Sequence, residues 1–80
     1  MKTTRYFEEH VLRKRSYIRR SWRQEAIRNP AKVEQQPDGR YRYWMYVPAL
    51  NRYLRVVTLE DGETVHNAFP DRRFNEGPAR

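Results

Sequence analysis

RYRYWMYVPALNRYLRVVTLEDGETVHNAFP, residues 40–70, is the stretch whose reading decides the fold. Bulky side chains alternate through it and turn residues interrupt it twice, so it reads as three consecutive antiparallel strands. The first runs over residues 40–47. It sets Tyr41, Tyr43, Met45 and Val47 on one face and Arg40, Arg42, Trp44 and Tyr46 on the other. Pro48-Ala49-Leu50-Asn51 connects it to a strand over 52–59, with Leu54, Val56 and Thr58 opposite Tyr53, Arg55 and Val57. Glu60-Asp61-Gly62 makes a hairpin turn. Residues 63–69 close the sheet, with Val65, Asn67 and Phe69 on one side and Thr64, His66 and Ala68 on the other, and Pro70-Asp71 is expected to stop this strand. Upstream, Pro37-Asp38-Gly39 is a turn signal, and residues 32–36 suit a short polar edge strand.

The chain before this sheet carries helical spacing. Phe7 and Val11, widened by Leu12, form an apolar face over residues 4–14, behind Thr3 or Thr4 as N-cap. Glu8 and Glu9 fall in its early turns and Arg13-Lys14-Arg15 in its last, both favourable to the helix dipole. Tyr6, His10 and Arg13 line one flank. A second helix is expected over 17–28, with Ser16 as N-cap, Ile18, Trp22, Ala26 and Ile27 inward, and Arg19, Arg20, Arg23 and Gln24 outward. Asn29-Pro30 ends it, because the residue before proline resists the helical region. Two helices followed by four strands predict an α+β fold. Two N-terminal helices pack on one face of a four-stranded antiparallel sheet. One domain covers residues 1–74 and a flexible tail covers 75–80, with Phe74 placed to dock that tail on the body.

Eighty residues make one small domain, and a domain this size buries a limited fraction of its surface. A homodimer or a bound partner would add to its stability. Lys and Arg number 17 against 10 Asp and Glu, a formal charge of +7, and the only lysines are Lys2, Lys14 and Lys32. Arginine makes planar, bidentate contacts to phosphate and stacks on bases, so a polyanion, and nucleic acid first, is the partner this bias suggests. There is no cysteine, so no disulfide or Cys-based zinc site, which fits a cytoplasmic chain. No apolar run approaches the ~20 residues of a membrane span, and the N-terminus lacks a signal-peptide core.

The helices need an apolar surface beneath them. Leu54 and Val56, Val65 and Phe69, with Trp44 and Tyr46, are the expected core side of the sheet. The other side would then show Tyr41, Tyr43, Met45, Tyr53, Arg55, Val57 and His66. Tyr, Arg and His on one surface suit base stacking and phosphate pairing. A one-residue bulge would invert part of this assignment.

His-Val-Leu-Arg-Lys-Arg at residues 10–15, Ile18, the helix-ending Asn29-Pro30 and Arg-Val-Val-Thr at 55–58 add to this order of elements. Over about residues 6–70 the chain resembles the RelE-like and BrnT-like small ribonuclease toxins. The resemblance implies a two-helix, four-strand domain encoded beside a small acidic antitoxin, cutting RNA without metal or cofactor, on the ribosome or free of it. It carries over His10, Arg13, Arg55 and His66, with Tyr53 behind them. The tail after Phe74 holds no His or Tyr, where some relatives place a key residue.

Metal-free RNA cleavage needs a base for the 2′-hydroxyl, an acid for the leaving 5′-oxygen and a cation for the phosphate. Histidine suits the proton steps and arginine the charge. The expected catalytic set is His10, Arg55 and His66. Arg13, Tyr43, Tyr53, Arg19, Arg20 and Arg23 are expected to bind RNA. Two isolated histidines offer no metal-ligand spacing, three glycines make no phosphate loop, and no nucleophile motif is present. Three functions remain open on the sequence: an RNA-cleaving toxin, a non-catalytic module binding RNA or an acidic protein on the same surface, and a structural protein without a nucleic-acid role.

Overall fold

The computed structural model describes residues 2–74. The tail expected at 75–80 lies outside the described residues. The fold is α+β: two helices precede a four-stranded antiparallel open sheet of order β1-β2-β3-β4, with β1 at Lys32–Gln35, β2 at Tyr41–Val47, β3 at Arg52–Thr58 and β4 at Val65–Asp71. Each strand follows its neighbour through a short connection, so the sheet is a plain meander.

The first helix covers residues 5–14. It opens into a π-helical stretch at Phe7–Val11 and returns to α geometry at Leu12–Lys14. Of the two threonines at its start, Thr4 does the capping: its Oγ1 accepts the Phe7 N–H at 3.1 Å. The second helix is Arg20–Arg28, shorter at its start than expected. Ser16 does not cap it. The chain first makes a turn in which the Ile18 N–H reaches the Arg15 carbonyl at 3.0 Å, and this drops Ile18 into the core ahead of the helix.

Cross-strand register shows which strand faces belong together. Tyr43 pairs with Val56 and Val56 with Ala68, and Met45 pairs with Leu54 and Leu54 with Pro70. These rows face one way. Tyr43, Leu54, Val56 and Ala68 are buried in a single core with Val47, Val65, Phe7, Val11, Ile18 and Ala26. The second helix lies against β2 and β3, and the first against β4. The other sheet face carries the row Trp44, Arg55, Phe69 and the row Tyr46, Tyr53, Asp71.

This corrects the expected faces of β2 and β4. Tyr43, not Trp44, lies in the core with Val56, its hydroxyl donating to the Gly62 carbonyl at 3.2 Å. Phe69 lies on the opposite face beside Arg55. Val65 is a core residue as expected, because a bulge in β4 restores its direction: Val57 pairs with Asn67 but Thr58 with Val65, leaving His66 as the extra residue. A bulge re-aims a side chain, and alternation cannot place one.

Pro70 does not stop β4, which runs to Asp71. The strand is at the sheet edge, where a residue lacking an N–H is tolerated. The start of β4 is covered from outside by the N-terminal segment. Val65 N–H donates to the Lys2 carbonyl at 2.8 Å and Thr4 N–H to the Val65 carbonyl at 3.0 Å, a short parallel bridge. Asp61 shapes the turn before β4. It accepts the Thr64 hydroxyl and the Glu63 and Thr64 N–H groups, which push its carboxyl down to about 2.

Leu54 is fully buried, whereas Val33 on edge strand β1 is exposed. Leu54→Ala is therefore expected to cost about 2–5 kcal/mol, and Val33→Ala to stay within about 0.5 kcal/mol. The midpoints of urea unfolding check both.

Candidate functional site

Two clusters of polar and aromatic side chains stand out, and the expected catalytic residues are divided between them. The first forms where the first helix meets β4. The parallel bridge brings Thr4 and Tyr6 beside the bulge that carries His66. Thr4 Oγ1 lies 3.0 Å from His66 Nδ1, and the Tyr6 ring stacks on the imidazole at a centroid distance of 4.9 Å. One helical turn on, the His10 ring meets the other flank of this group, 5.3 Å from the Tyr6 centroid. His10 and His66 are thus joined through Tyr6. Tyr6 is 47% exposed and His10 is also exposed, so the group faces solvent.

The His66 pKa lies below the ordinary imidazole value. Burial, which disfavours the cation, is the main cause; the Arg40 charge adds to it and Asp38 partly opposes it. The neutral ring is therefore favoured near pH 7. When Nδ1 accepts the Thr4 hydroxyl hydrogen, Nε2 carries the ring proton. The opposite assignment reverses both roles.

The second cluster lies on the sheet face opposite the main core and centres on Asp71. Trp44 Nε1 donates to Asp71 Oδ2 at 3.0 Å, and Arg55 pairs with the same oxygen at 3.6 Å. The Arg73 N–H closes a local turn on Asp71 Oδ1 at 3.0 Å. That turn brings Phe74 back over Trp44, with rings stacked at 4.7 Å and 14°, and edge-on to Tyr53 at 4.9 Å. Arg55 lies over both Phe69 and Trp44, at 5.2 and 5.6 Å. Arg42 covers Trp44 and pairs with Glu34 at 2.8 Å, and Arg15 reaches Phe69 at 5.8 Å. Burial pushes the Asp71 carboxyl up, but the Trp44 and Arg73 N–H groups, with the Arg55 charge, outweigh it and leave it lowered. Trp44 is 4% exposed, so its indole is covered by these neighbours, while Tyr46 on the same face stays 43% exposed.

The expected joint placement of Arg55 and His66 is therefore not found. Arg55 contacts Trp44, Phe69 and Asp71; His66 contacts Thr4 and Tyr6. Tyr53 lies with the second cluster, T-shaped against Tyr46 at 5.3 Å. Tyr43, expected to stack on RNA, is buried in the main core. Of the second-helix arginines, Arg19 and Arg20 are exposed, Arg19 lying over Trp22 at 5.5 Å. Arg23 is 7% exposed and lies 4.9 Å over Phe7, so it turns inward and leaves the solvent face. Arg13 is exposed on the first helix beside His10.

Tyr6 joins the histidines without having been singled out by the chemistry, and the charge of Arg40, which pairs with Asp38 at 3.9 Å, is felt at His66. For Tyr6 a signal existed in its i, i+4 spacing to His10. For Arg40 and Asp71 none did, since their roles depend on neighbours across strands. No helix among the described residues is long and apolar enough to cross a membrane. Comparison of the chain with protein-family models, with curated proteins and with solved structures yields no match.

Two outcomes follow. In a Trp22→Phe background, Phe74→Ala should uncover Trp44, red-shifting its fluorescence and lowering stability by about 0.5–1.5 kcal/mol, the worth of an aromatic pair. For His66, the folded protein binds the ring proton less readily than the unfolded chain. Its contribution is then full above the unfolded value of about 6.5 and is lost as pH falls from there through the lower folded value. Urea midpoints should accordingly drop between pH 7.5 and 5, and His66→Gln should flatten that drop.

Proposed function

We propose that this protein is an RNA-cleaving endoribonuclease of the RelE-like and BrnT-like kind, working without metal at the Tyr6–His10–His66 patch. The observation that carries the reading is the packing of Tyr6 on both histidine rings, which gathers two proton-transfer groups on one exposed surface. Neutral His66 suits the base: it takes the 2′-hydroxyl proton while the 2′-oxygen attacks phosphorus. His10 suits the acid, giving a proton to the departing 5′-oxygen. The products are a 2′,3′-cyclic phosphate and a 5′-hydroxyl. Arg40, whose charge is felt at His66, replaces Arg55 as the cation for the phosphate. The π-helical stretch at Phe7–Val11 coincides with this patch, and such stretches are frequent at functional sites.

On this reading both helices cover the same sheet face, a view supported by the core that Phe7, Val11 and Ala26 share with Tyr43, Val56 and Ala68. The partners are RNA, on or off the ribosome, and a small acidic antitoxin that complements the +7 charge. The setting is the cytoplasm. A second reading, a non-catalytic module for RNA or an acidic protein, is favoured by Arg55. This arginine is held by Asp71 and shares no contact with the histidines.

Induced expression with growth and RNA integrity followed tests the proposal. Wild type should arrest growth and fragment RNA. His66→Ala and His10→Ala, checked for folding by circular dichroism, should each lose about 10²–10⁴-fold in cleavage rate. Normal growth and intact RNA for wild type and variants alike would sink the nuclease. The binding module would then retain RNA affinity that falls with salt, at a log–log slope of about −0.7 per phosphate contact.

A further inference from the structure

A cleft of about 170 Å³ opens beside the first helix, on the flank away from Tyr6 and His10. Thr3, Glu8 and Leu12 line one side of it, and Arg20 and Arg23 of the second helix line the other. Arg23 is the unusual member. The residue is 7% exposed, its guanidinium lies over the Phe7 ring, and its buried Nε has no hydrogen-bond partner. Among the described residues it makes no ion pair. Burial and the Arg20 charge disfavour its cation, and the Glu8 carboxylate only partly offsets them. A buried guanidinium with no hydrogen-bonded or ion-pair partner points to an ion or ligand in the working protein.

The surroundings favour an anion. Arg20 is the first residue of the second helix, whose first turn holds no acidic residue and no side-chain cap. The free N–H groups and dipole of a helix start attract negative charge. Glu8 is the acidic member of the cleft, and its carboxylate is engaged by the Thr3 hydroxyl. Two guanidinium groups and a helix start outweigh it. A planar guanidinium matches the spacing of phosphate oxygens.

We propose that this cleft is a phosphate-binding site, with Arg23 as its floor and Arg20 as its rim. The phosphate belongs either to an RNA backbone or to free inorganic phosphate. The site stands apart from the histidine patch and does not depend on cleavage there.

The arginine Nε–H resonances of the ¹⁵N-labelled full chain test it, with inorganic phosphate titrated at constant ionic strength. Arg23 and Arg20 should shift saturably, while Arg55, whose partner is Asp71, stays in place. Arg20→Gln, an exposed substitution that leaves the core untouched, should weaken the effect roughly tenfold, as expected for loss of a charge-assisted contact. Arg23→Gln should abolish it. A single-stranded RNA oligonucleotide that moves the same resonances, and is competed off by phosphate, identifies the backbone as the source. A shift with inorganic phosphate alone identifies the free ion. The proposal is overturned if neither probe moves Arg23, or if acetate moves it as strongly as phosphate, which would mark the cleft for a carboxylate.

Discussion

The main-chain ladder between β2 and β3 is the constraint on which the rest depends. Seven residue pairs run without interruption from Tyr41 opposite Thr58 to Val47 opposite Arg52. Because side chains alternate along a strand, this register couples every side-chain direction in one strand to the other. It puts Tyr43 with Val56 and Trp44 with Arg55. From the first pair grows the core that Tyr43 and Val56 share with Phe7, Val11 and Ala26. From the second grows the cluster around Asp71. A slip of one residue would set the Tyr43 hydroxyl against the second face and bring Arg42 into the core.

Two features then divide the polar residues. The bulge in β4 takes His66 out of alternation and, with the parallel bridge of the N-terminal segment, hands it to Thr4 and Tyr6. Asp71, at the far end of the same strand, holds Trp44 and Arg55 and turns the chain so that Phe74 covers the indole. On the opposite sheet face the Trp44 indole is thereby covered by the chain's own side chains. Around the first helix, Tyr6 and His10 stay accessible on one flank, and the cleft floored by Arg23 opens on the other.

Much of the fold was legible beforehand. The strand spacing, the turns at Pro37-Asp38-Gly39 and Glu60-Asp61-Gly62, the apolar stripes of Phe7 and Val11 and of Ala26, and the Thr4 cap were all readable as local signals. The site was less so. His10 and His66 were picked out for their chemistry, and each packs against Tyr6. Arg55 was placed with them by alternation, and Arg23 was placed in solvent by helical spacing. Arg55 does lie on the face opposite Leu54 and Val56, and its expected pairing with His66 failed because the bulge took His66 out of alternation. The Arg23 placement failed because a ring of another element covers it. Phe7 draws Arg23 inward, and Trp44 and Phe69 hold Arg55.

By itself the sequence determined the element order, the α+β class and the strongly basic character, since period, capping and charge are properties of neighbouring residues. Only the tertiary structure decided which face of β2 is the core, where His66 points and which arginines are covered. Each of these depends on a pairing between residues far apart in the chain. A bulge, a cross-strand register and a guanidinium stacked on a distant ring leave no local pattern, because the energy that selects them comes from the partner and not from the segment.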